Sequence, residues 1–394
     1  MKNTLLTMSL SLFLAACGGG GDGAGDTSPP PAVLALAAAS SETLAGGKAI
    51  DLSASGVSVN VNWQLAAGSP GSLSASSGAT VRYQPPATLK DNARVTVTAT
   101  AGASTQSITL TVYPDPGTPG LYLMAGDPNG RPYPFSEADK DGAAADARFF
   151  GPSTLAADRQ GNVYVIENQN PSPSKQSGLV LRKLAAAGQV STLADYSNWF
   201  GKPGAQPEPI FIYPSGIATD SQGNLFISDR QVLSNSRSLI HKLGADGANT
   251  VFAGTDQTVS ASVKDGTGKD ARFSAPTLLG IDGADNLYVR DDLDKQFLRK
   301  ITPQAVVTTI DSLPADLNAD LNGNIYRIDP IRFVVLQRAK DGTERVIAGV
   351  DGVGGNRLGA LPGGLARPVA IARLGPASYA VIAETAILKL VVPH

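Results

Sequence analysis

Residues 151–168 read GPSTLAADRQGNVYVIEN, and the phrase returns as YPSGIATDSQGNLFISDR at 213–230, as APTLLGIDGADNLYVRDD at 275–292 and, more loosely, as LPADLNADLNGNIYRIDP at 313–330. Aligned, the four copies share a proline, an apolar run, an aspartate, an asparagine four residues later, an apolar pair and a closing acid. Each copy leads into a run mixing apolar and basic residues (LVLRKL, SLIHKL, FLRKI, FVVLQRA) and then into a fourth short run, VSTLAD, NTVFAG, VVTTI or ERVIAG. Four runs of strand length make one small sheet with two apolar faces. Only neighbouring copies can cover both faces, so the repeat predicts a β-propeller.

A last copy, ARPVAIARLGPASYAVIAETAILKLVV at 366–392, has three strands and lacks the outer one. The segment GLYLMAG at 120–126 ends as the fourth runs end, so it is expected to supply the missing strand. Pairing the two ends of the domain closes the ring and removes exposed sheet edges. The count is five units, with room for a sixth in 196–213 or 349–364. The propeller spans 121–394.

The N-terminus has a different character. Residues 1–16 carry Lys2 and an apolar run from Leu5 to Ala16, the form of a secretory signal and too short to span a bilayer. Leu14-Ala15-Ala16-Cys17 resembles the lipobox of bacterial lipoproteins. That resemblance implies cleavage before Cys17, lipidation of its thiol and a membrane anchor in the cell envelope. Gly18, not aspartate, follows the cysteine, which for a Gram-negative host implies the outer membrane. Cys17 is the single cysteine of the chain, so no disulfide is expected in the folded part. After Cys17, residues 18–32 read GGGGDGAGDTSPPPA, so 17–32 form a Gly-rich then Pro-rich tether. With 32 basic and 34 acidic residues and no basic run, nucleic acid is not an expected partner.

Residues 33–113 alternate apolar and polar between closely spaced turns, which predicts an all-β sandwich of about seven short strands with Trp63 in its core. The stretch from Trp63 through GSLSASSGATVRYQPPA to VTVTAT resembles bacterial immunoglobulin-like domains, modules that act mostly as spacers. Residues 114–120, PDPGTPG, read as a linker.

The propeller units resemble NHL repeats, in their Asp-Gly lead-in, Ala, Phe and Pro, then Asp, Gly-Asn, Tyr-Val and an acid. The resemblance implies a propeller usually of six blades. The lead-in is written twice, as DGAAADARF at 141–149 and DGTGKDARF at 265–273. The second copy invites a phosphate-loop reading, but Asp270 follows Lys269 where such a loop has Ser or Thr, and the first copy lacks the Lys. Both are read as loops between blades, with Gly142 and Gly266 at positive φ and Phe149 and Phe273 as plugs. Arg148 and Arg272 either pack there or face a ligand. Asp158, Asp220, Asp282 and Asp320 are expected to bond turn amides. The strand-closing acids Glu167, Asp229, Asp291 and Asp329 either bond loop amides or face the axial channel, where a divalent cation such as calcium has room; no other cofactor is expected.

Only His241 and His394 are present, and no Gly-x-Ser-x-Gly or His-Glu-x-x-His motif occurs. His241 stands where LVLRKL has its arginine and is given the same surface role. The expected molecule is a monomeric envelope lipoprotein whose propeller binds a protein or glycan. The rival is a propeller lyase or hydrolase using carboxylates and a cation.

Overall fold

In a computed structural model the chain is described over residues 33–130, 139–168, 179–194, 214–230, 238–244, 248–255, 263–291, 297–314, 317–320 and 322–393. Cys17 and the tether lie outside these residues, as does 196–213.

Alternation drives the first domain. Two four-stranded sheets face one another, one ordered Ala35–Ala38, Ile50–Ser55, Thr80–Gln84, Ser72–Leu73, the other Glu42–Leu44, Ser104–Tyr113, Ala93–Ala101, Asn62–Leu65. Every second residue points inward, so Leu52, Tyr83, Val95, Val97, Leu110 and Val112 are fully buried. Trp63 fills the gap between the sheets, and its indole donates to Gly78 O at 2.8 Å. The register gives the sandwich two poles. Ala93 pairs with Val112 and Ile50 with Tyr83, which puts Asn92 and Tyr113 at one pole; Ala35 pairs with Ser55 and Ala101 with Ser104, which puts Val33 at the other.

Five further sheets follow. The first blade is Pro152–Ala157, Val163–Asn168, Leu179–Leu184 and Gln189–Ala194; the second is Pro214–Thr219, Leu225–Arg230, Ser238–Leu243 and Asn249–Ala253. The third is Thr277–Ile281, Leu287–Asp291, Phe297–Ile301 and Val306–Ile310. The lead-in loops add Gly142–Ala143 and Gly266–Thr267 at the outer edges of the first and third. The fourth shows three strands among the described residues, Ile325–Asp329, Val334–Arg338 and Glu344–Ala348, so the expected inner strand is not formed by 317–320. The fifth is Pro368–Gly375, Ser378–Ala383 and Ala386–Val391, completed by Gly120–Gly126. Gly120 pairs with Val391 and Gly126 with Ala386, so the two ends of the domain close the ring.

Neighbouring blades touch all the way round. Thr219 Oγ1 donates to Ala157 O at 2.7 Å and Ser215 Oγ to Pro276 O at 2.6 Å, joining the first three inner strands. Asn318 Nδ2 reaches Leu279 O at 3.2 Å between the third and fourth units. The rings of Tyr326 and Tyr379 lie 4.5 Å apart between the fourth and fifth. Ile382 and Ile387 share a buried cluster with Leu155 and Val165, joining the fifth to the first. Among the described residues the ring therefore has five blades. Residues 349–364 contribute isolated bridges and no sheet.

Inner strands that pack this tightly constrain their residues. A Cβ on Gly216 would sit 2.7 Å from Leu278 O, so only glycine lets the second and third blades meet there. Proline opens the inner strands of three blades, an edge position where its missing N–H costs nothing, and a bulge follows it each time.

The closure predicts a concrete asymmetry. Leu121→Ala in the closing strand, fully buried, should cost about 2–5 kcal/mol in urea unfolding, whereas Leu123→Ala, 37% exposed on the same strand, should cost under about 1. Equal effects would contradict the register.

Candidate functional site

The repeated lead-in is explained by an arginine outside it. Arg182, in the middle of LVLRKL on the first blade's third strand, has zero exposure. A guanidinium removed from water must have its charge matched and its donors filled. Arg182 pairs with Glu167 on the adjacent strand and with Asp141 of the lead-in at 2.8 Å. It donates to Lys140 O at 2.7 Å and Arg148 O at 3.1 Å, and its guanidinium lies 5.2 Å from the Phe149 ring centroid. The third blade repeats this arrangement except at Nε, which donates to Asp141 in Arg182 and has no partner among the described residues in Arg299. Arg299, also fully buried, binds Asp291 at 3.0 Å, Asp265 at 2.9 Å, Lys264 O at 2.8 Å and Arg272 O at 3.2 Å, with Phe273 at 5.1 Å.

The acids have second duties. Glu167 accepts the Phe150 amide at 2.8 Å, and Asp291 accepts the amides of Ser274 and Ala275, both at 2.9 Å. Asp141 and Asp265 accept the amide and hydroxyl of Thr192 and Thr309 on the outer strands. Each arginine thus ties one crossover loop to three strands of its blade. Burial pushes the Glu167 carboxyl up to about 7 against the pull of Arg182 and the Phe150 amide. At Asp265 burial acts upward, but the Thr309 bonds and Arg299 outweigh it and hold the pKa low.

The other blades depart from this plan. In the second, His241 occupies the arginine position, opposite Ile227, with Nε2 4.0 Å from Asp229 Oδ2. Both are buried, at 5% and 4% exposure, so the surface role expected of His241 is corrected: the position is interior in every blade that carries an arginine there. Burial pushes the His241 pKa down to about 4, with the Asn249 side chain pulling the other way. In the fourth blade Leu336 takes the position, opposite Arg327, and Asp329 accepts the amides of Ile331 and Arg332 at 3.2 and 3.1 Å.

Arg148 is half-buried, and its guanidinium donates to Ala145 O and Ala147 O at 3.0 and 2.8 Å. Arg272 is half-buried as well, and its backbone bridges to Lys264. Gly142 has φ 144°, but the positive-φ residue of the third-blade loop is Gly268 at 54°, not Gly266. Gly266 is needed for space, since a Cβ there would meet Asp270 at 2.9 Å. The turn aspartates behave as expected: Asp158 accepts the amides of Gln160 and Asn162, and the same pattern recurs at Asp220, Asp282 and Asp320.

The face bearing the ends of the second strands, termed upper, carries several exposed apolar side chains. Ile331 is 86% exposed, Val369 51% and Val353 47%. The Gly352 amide donates to Arg332 O at 3.0 Å and Arg332 pairs with Asp351 at 2.7 Å, which brings the loops of Ile331 and Val353 together. Nearby, Arg367 and Glu384 are held at φ 36° and 59° and pair at 3.9 Å, a concentration of backbone strain of the kind binding surfaces retain. Among the described residues no group of three or more His, Cys, Asp or Glu is arranged to hold a metal ion.

No protein-family model matches the chain, and no curated protein matches it. Solved structures do. A protein of unknown function from Bacteroides thetaiotaomicron is 14% identical over 93% of this chain and 99% of its own, with a TM-score of 0.39. Streptogramin B lyase is 14% identical over 70% of this chain and 98% of its own, at 0.32. A gluconolactonase from Xanthomonas campestris is 10% identical over 71% and 99%, at 0.30. Likeness at this level transfers no activity, and the propeller stands on the chain's own sheet order.

The residue at this third-strand position should be felt in stability. Arg299→Met strands Asp291 in the interior and should cost about 3–5 kcal/mol in urea unfolding, while Arg299→Met with Asp291→Asn, whose Oδ1 still accepts the Ser274 and Ala275 amides, recovers most of the loss. An additive double variant would contradict the pairing. Because the His241 pKa is lowered on folding, the unfolded chain binds the extra proton; stability is full above about pH 6.5 and falls toward pH 4. His241→Phe should flatten that part of the pH profile.

Proposed function

We propose that the chain is a lipid-anchored protein of the bacterial cell envelope, held by Cys17 in the outer membrane, whose propeller binds a protein or glycan partner as a monomer through its upper face. The observation that carries this reading is polarity. The tether joins at Val33, at the pole of the sandwich opposite Tyr113, and the propeller stands on the Tyr113 side. The upper-face loops therefore point away from the end that carries the anchor. Exposed apolar side chains beside charged ones, at Ile331, Val353, Arg332 and Asp351, are what a recognition surface offers. Glu167 and Asp291 are already committed to guanidinium groups and loop amides. A carboxylate-using lyase or hydrolase would have to rest on Asp229 beside His241, and on Asp329.

Anchoring is tested by fractionation: Cys17→Ser should move the protein from membranes to the soluble fraction, and continued sedimentation with membranes would contradict it. Binding is tested by capture from native envelope extract. Ile331→Ser with Val353→Ser should reduce the captured partner about tenfold, and Val59→Ser at the far pole of the sandwich should not. Equal capture by all variants would overturn the face assignment.

A further inference from the structure

The opposite, lower face of the propeller carries the turns between first and second strands, and under the fifth and first blades it is occupied by the sandwich. Arg373, near the lower end of the fifth blade's inner strand, donates from Nη2 to Glu42 on the sandwich strand Glu42–Leu44. The Tyr113 hydroxyl donates to the other Glu42 oxygen at 3.1 Å. Asn92 donates to Arg159 O in the first blade's turn. Around these bonds Leu44 and Tyr113 join one buried cluster with Ala377, Tyr379, Leu390 and Val392 of the propeller. Gly375 admits the Tyr113 ring, for a Cβ there would lie 3.1 Å from Tyr113 Cδ1. The linker is pinned too: Lys389 Nζ donates to Pro116 O at 3.4 Å and the Gly117 amide to Asp115 at 2.8 Å.

A spacer swinging on a linker does not bury an ion pair in its joint. Both partners here are mostly out of water, with side-chain exposures of 19% for Arg373 and 22% for Glu42. We infer that sandwich and propeller form one rigid body locked by the Glu42–Arg373 pair, in which the sandwich caps part of the lower face and fixes the direction in which the upper face points. The lock stands whatever the upper face binds.

The groups facing Glu42 are Arg373 from the fifth blade, Tyr113 from the last sandwich strand and Arg159 from the first blade's turn; Tyr379 faces Arg373. Burial pushes the Glu42 carboxyl up, but Arg373 and Tyr113, with Arg159 behind them, outweigh it and hold its pKa below the ordinary value of 4.5. A depressed carboxyl contributes stability above its unfolded pKa and loses it as pH falls through the folded one. The lock is therefore closed at neutral pH and released in acid.

The chain's one cysteine makes the test clean. In the full chain carrying Cys17→Ser, spin labels at Val59→Cys and Ile331→Cys, both exposed, report the distance between sandwich and upper face. The expected result is one narrow distance distribution at neutral pH, at least doubled in width by Glu42→Gln or by acid, and narrow again when Glu42→Leu is combined with Arg373→Met, which replaces the pair by apolar contact. Circular dichroism checks that each variant is folded. A broad distribution in the parent, or an unchanged one in a folded Glu42→Gln protein, overturns the lock.

Discussion

A guanidinium with no access to water sets the terms for the first and third blades. Arg182 and Arg299 could be buried only with an acid on the neighbouring strand, a second acid at the outer edge, two carbonyls and an aromatic face around each. Supplying all of these requires the crossover loop to run in one conformation, and the sequence repeats because that requirement repeats. Removing a single partner leaves a charge stranded in the interior, so the set is expected to persist or vanish as a unit. Those blades are held by polar networks as much as by their apolar faces.

The second and fourth blades show what relaxation of that constraint looks like. With His241 in place of arginine, the second blade holds a neutral buried ring against Asp229. With Leu336, the fourth has no cation to satisfy, and Asp329 is free to shape the turn beneath Ile331. The same fourth unit lacks a regular inner strand among the described residues, so the ring departs from symmetry where its exposed apolar side chains begin. At the other end, the fifth blade borrows its outer strand from the start of the domain, and the sandwich is clamped to that blade by Glu42 and Arg373. Closure and attachment are thus concentrated in one blade, and the most exposed apolar side chain, Ile331, in its neighbour.

Much of this was legible in the sequence. The Pro, Asp, Asn and acid of each copy fixed the blade, and the shared ending of GLYLMAG with TVFAG pointed to the closing strand. Five repeats were countable, but a sixth in 196–213 or 349–364 stayed open, and the resemblance to NHL repeats implied six. The site was harder to read. Attention to Arg148 and Arg272 followed from their conspicuous repetition, yet repetition there reflects backbone carbonyls that any side chain would present. The decisive arginines sat inside LVLRKL and FLRKI, where a basic residue in an apolar run passes for a surface position. The signal was available: an arginine flanked by strand residues on both sides, following an acid that closes the preceding strand. The sandwich's clamp was not legible, because Glu42 and Arg373 are brought together only by the fold.

The central claim is that Glu167 and Asp291 hold loops in place and do not present carboxylates to a ligand. Native-state hydrogen exchange measures this at the amides themselves. The account predicts that the amides of Phe150, Ser274 and Ala275, all in loops and all bonded to Glu167 or Asp291, exchange as slowly as the central strands, with the free energy of global unfolding. Fast exchange of these three amides in an otherwise protected propeller would mean that the acids are free, and would contradict it.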